Sequence, residues 1–263
     1  MTSGGRRLWL IGGTGDSAEL AAQLGASAID FVVTVTTPAA RHLYAPDVEV
    51  WVGKLTEQTA DEFLRHYGIV GILDASHPFA IAVSQLAIAV AQRHGLPYLR
   101  YERPETAVDD SCDSRADSNI TWIDSYCDLV EGGLIQGKRV LLIIGYRALA
   151  QFQPWQSMAC LHARILPSPL ALQAALAAGF DPRRLIALRP PLSPALETAL
   201  WQQWRIEVVV AKASGQPGGE PAKRDIASRL GTSLILLRRP TLSYPHLVRS
   251  LAAALDGSRA MLL

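Results

Sequence analysis

The sequence of 263 residues has no run of eighteen apolar residues, the length that a membrane-spanning helix requires. It holds only three cysteines, Cys112, Cys127 and Cys160, whose odd number and wide spacing predict neither a disulfide framework nor a metal cluster. The P-loop, G-x-S-x-G and H-E-x-x-H patterns are also missing. We therefore expect a protein without a metal, without a membrane partner and in the reducing cytoplasm.

Charge is scarce and unevenly distributed. Only 19% of the residues are charged, 49% are hydrophobic, and the net charge is +1. Residues 1–132 hold 9 Lys/Arg and 18 Asp/Glu, whereas residues 133–263 hold 16 Lys/Arg and 6 Asp/Glu. Because there is no Lys/Arg tract and no recognisable nucleic-acid motif, the positive half favours a small polyanion over a nucleic acid. The alternative is that the two halves, or a partner subunit, attract each other across an interface.

What the chain does contain is a strand–turn–helix signature near its start. Residues 7–20 read as a short buried strand, a glycine turn and the beginning of a helix, and Gly13, Gly15 and Ala18 match the G-x-G-x-x-A dinucleotide fingerprint. Gly13 permits the tight turn, Gly15 leaves room for a pyrophosphate, and the helix N-terminus attracts its charge. The pattern predicts a nucleotide cofactor. The alternative is a turn that needs glycine only to fold.

The end of the second strand indicates which dinucleotide binds. The β-branched run over residues 30–37 ends in Thr36 and Thr37, not in the Asp or Glu that holds the ribose 2′-hydroxyl of NAD. Arg41 follows four residues later. Hydroxyls and a guanidinium suit a 2′-phosphate, which a carboxylate would repel. The pattern favours NADPH over NADH, and the alternative is that Arg41 is a solvated loop arginine.

Strand-like and helix-like segments alternate along the rest of the chain. Strands are predicted over residues 48–52, 69–74, 96–100, 138–145, 160–166, 185–188, 206–211 and 233–237. Helices are predicted over residues 56–67, 78–94, 169–178, 194–204, 220–230 and 245–255. The acidic, serine-rich residues 102–120 predict a connecting loop. Repeated βα units predict parallel sheets, and two such series predict two domains with a cleft between them.

The fourth predicted strand ends in a candidate reactive group. Residues 74–80 read Asp-Ala-Ser-His-Pro-Phe-Ala, and ligands of parallel α/β sheets bind beyond such strand ends. Ser76 is a candidate cap for the following helix. His77 is suited to donate a hydrogen bond, to bind a carboxylate or to transfer a proton. The alternative is a histidine that only supports the loop.

A second strand end carries basic and hydroxyl residues in a glycine-rich loop. Within residues 211–223, Lys212 and Ser214 follow a strand, and Lys223 lies near a helix start, where its charge is unfavourable for the helix. An anion nearby would offset that cost. The segment predicts an anion-binding loop, and the alternative is a flexible surface loop.

Four segments in order resemble the precorrin-6A reductase family of cobalamin biosynthesis. They are Ile11-Gly-Gly-Thr-Gly-Asp16, Asp74-Ala-Ser-His-Pro-Phe-Ala80, Ala163-Arg-Ile-Leu-Pro167, and Ala211-Lys-Ala-Ser-Gly215 with Lys223 and Arg239-Pro240 beyond it. The resemblance implies an α/β protein of two Rossmann-like domains with mainly parallel sheets and a ligand cleft between them. Residues 1–132 would bind NADPH, and residues 133–263 would bind the substrate.

The resemblance also implies an activity and a set of roles. The activity is NADPH-dependent reduction of the precorrin-6A macrocycle to its dihydro form, precorrin-6B. The alternatives are the cobalt-containing macrocycle of the anaerobic route and a non-catalytic dinucleotide-sensing module. The substrate is a tetrapyrrole polycarboxylate, and neighbouring pathway enzymes are further candidate partners. The implied roles are the pyrophosphate for Gly13, Thr14, Gly15, Asp16 and Ser17, the 2′-phosphate for Thr37 and Arg41, catalysis for His77, and substrate binding for Ser76, Lys212, Ser214 and Lys223.

Overall fold

The computed structural model describes residues 6–104 and 119–263, which form two compact units. Unit 1 contains residues 6–104 and 240–263, and unit 2 contains residues 119–239. This division differs in two places from the predicted domains, residues 1–132 and 133–263. The strand that starts near residue 120 pairs within unit 2, and the C-terminal segment returns to pair within unit 1. The predicted connecting loop falls largely on residues 105–118, with Cys112, outside the described residues.

Unit 1 is built on a six-stranded parallel sheet in the order β12-β5-β4-β1-β2-β3. Its strands are β1 (Arg7–Ile11), β2 (Phe31–Val35), β3 (Val50–Val52), β4 (Ile69–Asp74), β5 (Tyr98–Tyr101) and β12 (Leu247–Val248). Its helices are α1 (Gly15–Ala26), α2 (Pro38–Arg41), α3 (Glu57–Tyr67), α4 (Ile81–His94) and α9 (Leu251–Ala260).

The core of unit 1 lies on both faces of this sheet. Side chains alternate across a strand, so Leu8 and Leu10 of β1 pack on one face with residues of α1 and α9. Trp9 and Ile11 pack on the other face with residues of α3 and α4. Because both faces are covered, the central strands are mostly apolar, as the sequence predicts.

Unit 2 repeats this architecture with a second parallel sheet, in the order β6-β11-β10-β7-β8-β9. Its strands are β6 (Ile120–Ile123), β7 (Arg139–Ile143), β8 (Cys160–Ile165), β9 (Leu185–Ala187), β10 (Val208–Lys212) and β11 (Ser233–Leu237). Its α-helices are α5 (Cys127–Glu131), α6 (Pro169–Ala177), α7 (Pro194–Gln203) and α8 (Glu220–Leu230), and 3₁₀ segments cover Tyr146–Ser157, Pro182–Arg184 and Gln216–Gly218. The predicted α/β fold with two parallel sheets is confirmed.

Each sheet has one point where the strand order reverses. In unit 1 it lies between β1 and β4, and in unit 2 between β7 and β10. At such a switch point the loops leave the two strands in opposite directions and open a crevice beyond their carboxyl ends, where ligands of this architecture bind. The two predicted strand-end segments of unit 1 and the lysine segment of unit 2 follow these strands.

Two element predictions were wrong. The helix predicted over residues 245–255 begins only at Leu251, because Leu247 and Val248 pair with Arg100 and Tyr101 as an edge strand. The helix predicted from residue 78 begins at Ile81, and its N-cap is Ala80 rather than Ser76.

Candidate functional site

The glycine turn of unit 1 is held by a reciprocal cap. Gly13 has φ +99°, a value that L side chains rarely adopt, so the turn after β1 requires glycine there. Thr14 caps α1: its Oγ1 accepts from the Ser17 N–H, and the Ser17 Oγ accepts from the Thr14 N–H, both at 3.0 Å. The Thr14 hydroxyl also donates to the Ala75 carbonyl at 3.1 Å, which ties the turn to the segment after β4.

The space in front of this turn fits a phosphate. A Cβ placed on Gly13 or Gly15 would meet nothing within 4 Å among the described residues. The first intrahelical bond runs from the Ala18 N–H to the Thr14 carbonyl, so the N–H groups of Gly15 and Asp16 precede it. An open helix N-terminus with leading N–H groups is the arrangement that binds the pyrophosphate of a dinucleotide.

Two of the predicted cofactor residues have protein partners. Ser17 is fully buried and its hydroxyl donates to the Thr14 carbonyl at 2.8 Å, so it supports the turn from inside. The Asp16 carboxylate accepts from Arg103 Nε at 2.7 Å, and both side chains are largely buried. The Arg103 guanidinium offsets the negative charge of Asp16 beside the helix N-terminus, which reduces the repulsion that a phosphate would meet there.

Thr37 and Arg41 lie at the same edge of the sheet as the glycine turn. They follow β2, which pairs in parallel with β1, so both strands end at this edge. Thr37 is the half-buried N-cap of α2. The Arg41 guanidinium donates to the carbonyls of Ala45 at 3.3 Å and Pro46 at 3.0 Å, which occupies two of its five N–H groups.

His77 lies on the other side of β1, in the segment after β4. It is half-buried, and its Nδ1 accepts from the Phe79 N–H at 3.2 Å. Because Nδ1 uses its lone pair in this bond, the neutral ring carries its proton on Nε2. The bond between Thr14 and Ala75 brings the His77 segment next to the glycine turn. The glycine turn and the His77 segment therefore lie together at the switch point of unit 1.

A buried carboxylate holds the base of the His77 segment. Asp74 is fully buried at the end of β4, and its oxygens accept four hydrogen bonds. The four donors are the Ser76 N–H at 3.0 Å, Ser84 Oγ at 2.6 Å, Tyr98 Oη at 2.7 Å and Arg100 Nη1 at 2.9 Å. Burial raises the pKa of Tyr98, and the negative Asp74 carboxylate raises it further. The phenol therefore stays protonated and donates its hydrogen bond.

Ser76 belongs to the same network. Its hydroxyl accepts from Arg100 Nη1 at 3.0 Å, and the residue is buried. The Arg100 guanidinium also lies over the Tyr244 ring at 5.2 Å, a contact that the returning C-terminal segment supplies. The structure thus gives Ser76 an internal partner in place of the predicted helix cap.

Two cations lie at the switch point of unit 2. Lys212 ends β10, and Arg147 follows the neighbouring strand β7 in the sheet. Burial lowers the pKa of the Lys212 ammonium, and the Arg147 guanidinium lowers it further by a smaller amount. A carboxylate bound at this switch point would be attracted by both cations. Arg164, another basic strand-end residue, is instead paired with Glu197 at 2.8 Å.

Lys223 and Glu220 organise the loop after β10. The Lys223 ammonium donates to the carbonyls of Gly218 at 2.7 Å and Gly219 at 3.1 Å, and burial lowers its pKa to about 8. Glu220 accepts from the Gly215 N–H at 2.9 Å. Lys223 therefore acts on its own loop, which the predicted role on a substrate carboxylate did not anticipate. Ser214 is buried beneath this loop, where a Cβ on Gly218 would overlap its hydroxyl.

The sequence interpretation passed over three residues of these sites: Tyr44, Arg100 and Arg103. A signal existed for Arg100, because an arginine inside the short apolar strand β5 needs a buried anion, and Asp74 ends the neighbouring strand. Tyr44 and Arg103 carry no such signal, since both lie in irregular segments whose path depends on the tertiary fold.

No helix within the described residues is long and apolar enough to cross a membrane. Across residues 6–104 and 119–263, no group of three or more His, Cys, Asp or Glu residues is arranged to hold a metal ion.

The fold and the two switch points define the class: an α/β protein of Rossmann-like units. The chain belongs to the precorrin-6x reductase family (CbiJ/CobK), whose model matches residues 7–258. It is therefore an oxidoreductase of that family, and the resemblance drawn from the four motifs is confirmed. The alternative of a non-catalytic sensing module loses its support.

Individual relatives agree with this family. The chain is 46% identical over 238 residues to a cobalt-precorrin-6A reductase of Synechocystis sp., covering 89% of this chain and 88% of the relative. It is 31% identical over 241 residues to a precorrin-6A reductase of Rhodococcus erythropolis, covering 90% of each. The solved structure of CobK precorrin-6A reductase superimposes with a TM-score of 0.78 at 23% identity, covering 97% of both chains, and confirms the fold.

Proposed function

We propose that this chain reduces the precorrin-6A macrocycle to its dihydro form, precorrin-6B, in cobalamin biosynthesis, with NADPH as the reductant. The observation that carries the proposal is the family match over residues 7–258. The two switch points support it, because one has a glycine turn and a helix N-terminus beside the His77 segment, and the other has Lys212 and Arg147 after neighbouring strands. Cytoplasmic location stays a prediction.

The site of unit 1 would hold the cofactor. The N–H groups of Gly15 and Asp16 would face the pyrophosphate, and Thr37 and Arg41 the 2′-phosphate. When bound, NADPH supplies the hydride that the reduction needs. His77, with its proton on Nε2, would donate a hydrogen bond or the proton that completes the reduction. The Asp74 network holds the segment that presents His77.

The site of unit 2 would hold the substrate. A precorrin carries acetate and propionate side chains, and Lys212 with Arg147 would form charge-assisted hydrogen bonds to one of these carboxylates. Ser214 would adjoin them, and Lys223 would keep the loop in shape. That the macrocycle lies in a cleft between the domains stays a prediction, as do neighbouring pathway enzymes as partners.

A direct assay tests the proposal. Purified protein is mixed with precorrin-6A and NADPH, and the nicotinamide absorbance is followed together with the macrocycle spectrum. We expect paired changes that require the protein. NADPH binding without a change in either spectrum, with both the cobalt-free and the cobalt-containing macrocycle, would contradict the proposal.

The second candidate substrate is cobalt-precorrin-6A. It is favoured by the Synechocystis relative, which is 46% identical and is named for the cobalt-containing macrocycle. The Rhodococcus relative, named for the cobalt-free one, is 31% identical. A comparison of kcat/KM for the two macrocycles under anaerobic conditions decides between them.

The Arg41→Ala variant tests the choice of cofactor. We expect its Kd for NADPH to rise about 10- to 100-fold, since a hydrogen-bonded charge pair with the 2′-phosphate is lost. The Kd for NADH should change little. Arg65→Ala, which removes an exposed arginine of α3, controls for the loss of one positive charge. Equal losses for both dinucleotides would remove Arg41 from the phosphate role.

The Lys212→Ala variant tests the substrate site. We expect the KM for the macrocycle to rise about tenfold, because one charge-assisted bond to a carboxylate is lost. The Kd for NADPH should stay unchanged. The matched control is Lys138→Ala, a lysine just before β7 at the opposite edge of the same sheet. An unchanged KM in Lys212→Ala would refute the carboxylate role.

A further inference from the structure

A tyrosine hydroxyl lies inside the glycine turn of unit 1. Tyr44 stands in the loop between α2 and β3, and it is 6% exposed within the core cluster that contains β1 and β2. The Gly13 N–H donates to Tyr44 Oη at 2.8 Å, and Tyr44 Oη lies 2.7 Å from Ser17 Oγ. A side chain 31 positions away in sequence thus contacts both the turn and the first helical turn of α1.

The direction of these hydrogen bonds follows from counting protons. The Ser17 hydroxyl has one proton, which it donates to the Thr14 carbonyl, and it accepts from the Thr14 N–H. Its remaining lone pair must accept from Tyr44. The Tyr44 oxygen in turn accepts from the Gly13 N–H. Burial raises the pKa of Tyr44, so the phenol keeps the proton that this arrangement needs.

Gly12 gives independent support for this placement. A Cβ on Gly12 would overlap the Tyr44 hydroxyl and come within 2.7 Å of a Val33 methyl group. Gly12 has no positive φ, so its backbone does not require glycine. The first glycine of the turn therefore makes room for Tyr44, whereas Gly13 and Gly15 face open space among the described residues.

Tyr44 is also hydrogen-bonded to Arg41, the residue that we propose for the 2′-phosphate. Its backbone N–H donates to the Arg41 carbonyl at 3.2 Å. The Gly13 N–H donates to the Tyr44 hydroxyl, so it does not need an acceptor atom from a ligand. This leaves Gly15 and Asp16 as the leading N–H groups of the helix N-terminus.

We propose that Tyr44 is a positioning residue for the dinucleotide. Its hydroxyl fixes the Gly13 peptide so that the N–H groups of Gly15 and Asp16 face the pyrophosphate. This inference rests on the proposed function, because it assumes that unit 1 binds the cofactor. Since both NADPH and NADH carry the pyrophosphate, the contribution of Tyr44 is the same for both, in contrast to that of Arg41.

The Tyr44→Phe variant tests this role because it keeps the packed ring and removes only the hydroxyl. We expect the Kd for NADPH and for NADH to rise by the same factor, about three- to tenfold. The control is Tyr67→Phe, a half-buried tyrosine at the end of α3 whose ring packs on Phe63 at 4.7 Å. Its Kd values should stay at the wild-type level.

The outcomes separate the inference from the proposed function. A lower Tm in Tyr44→Phe with unchanged Kd values, measured well below that Tm, would make Tyr44 merely structural and overturn the inference. A loss confined to NADPH would also overturn it, since the effect would then run through the 2′-phosphate. If the wild-type protein binds neither dinucleotide, the cofactor assignment itself fails.

Discussion

Replacing His77 with Asn is expected to lower kcat for macrocycle reduction by about 100-fold or more, the usual contribution of a positioned acid–base group. The Asn side-chain oxygen can occupy the position of Nδ1 and still accept from the Phe79 N–H, so the segment keeps its shape. The substitution removes the Nε2–H together with the contact between the imidazole and the Phe79 ring, whose centroids lie 5.8 Å apart. The measurement is kcat at saturating NADPH and macrocycle, with the Kd for NADPH determined in parallel.

A second substitution at this position separates two roles of His77. Gln can place an amide N–H where Nε2–H stood, but an amide does not titrate. Recovery of activity in His77→Gln would indicate a hydrogen-bond donor, whereas a loss equal to that of His77→Asn would indicate proton transfer. His66→Asn, at an exposed histidine of α3, is the control. Wild-type kcat in both His77 variants would exclude His77 from the chemistry.

Replacing Arg100 with Met is expected to lower the free energy of unfolding by about 3–5 kcal/mol, because it leaves the Asp74 carboxylate buried without its countercharge. The two side chains are 1% and 0% exposed, and Arg100 Nη1 bonds both Asp74 and Ser76. Urea unfolding measures the loss. Arg93→Met, which breaks exposed ion pairs with Glu57 and Asp61, should change the stability far less.

A milder substitution tests the same network if the Arg100→Met variant does not fold. Tyr98→Phe removes one of the four hydrogen bonds to Asp74 and should cost about 1 kcal/mol. It should also reduce kcat slightly, since the Asp74 network holds the His77 segment. If Arg100→Met were as stable as Arg93→Met, the buried pair would not support this part of unit 1.

Much of the fold could be predicted because its signals are local. Residues 8–11 of β1 and 69–73 of β4 are apolar, since both faces of the sheet are covered, and α3 begins at a threonine cap and ends at Gly68 in the left-handed conformation. The edge strand β12 could not be predicted, because two residues carry no period and pair only with the distant β5. The boundary between the units was missed because β6 and β12 pair with strands that are distant in the sequence.

The site could be predicted only as a set of positions. Gly13, Gly15 and His77 could be placed at one edge of the sheet because strand ends in a parallel sheet meet there. The contacts of Ser17 and Lys223 could not be predicted, since a sequence does not show that one hydroxyl is buried in a cap and that one ammonium turns back to carbonyls of its own loop.

The sequence alone determined the class of fold and the family, and it predicted the strand ends where we propose the chemistry, because these depend on hydrophobic period, glycine turns and motif order. Only the tertiary structure decided which polar groups have partners inside the protein and which face the crevices. Tyr44 contacts the glycine turn and Arg100 contacts Asp74 across long sequence separations. Such contacts arise when packed strands bring their ends together, and nothing local to either residue specifies them.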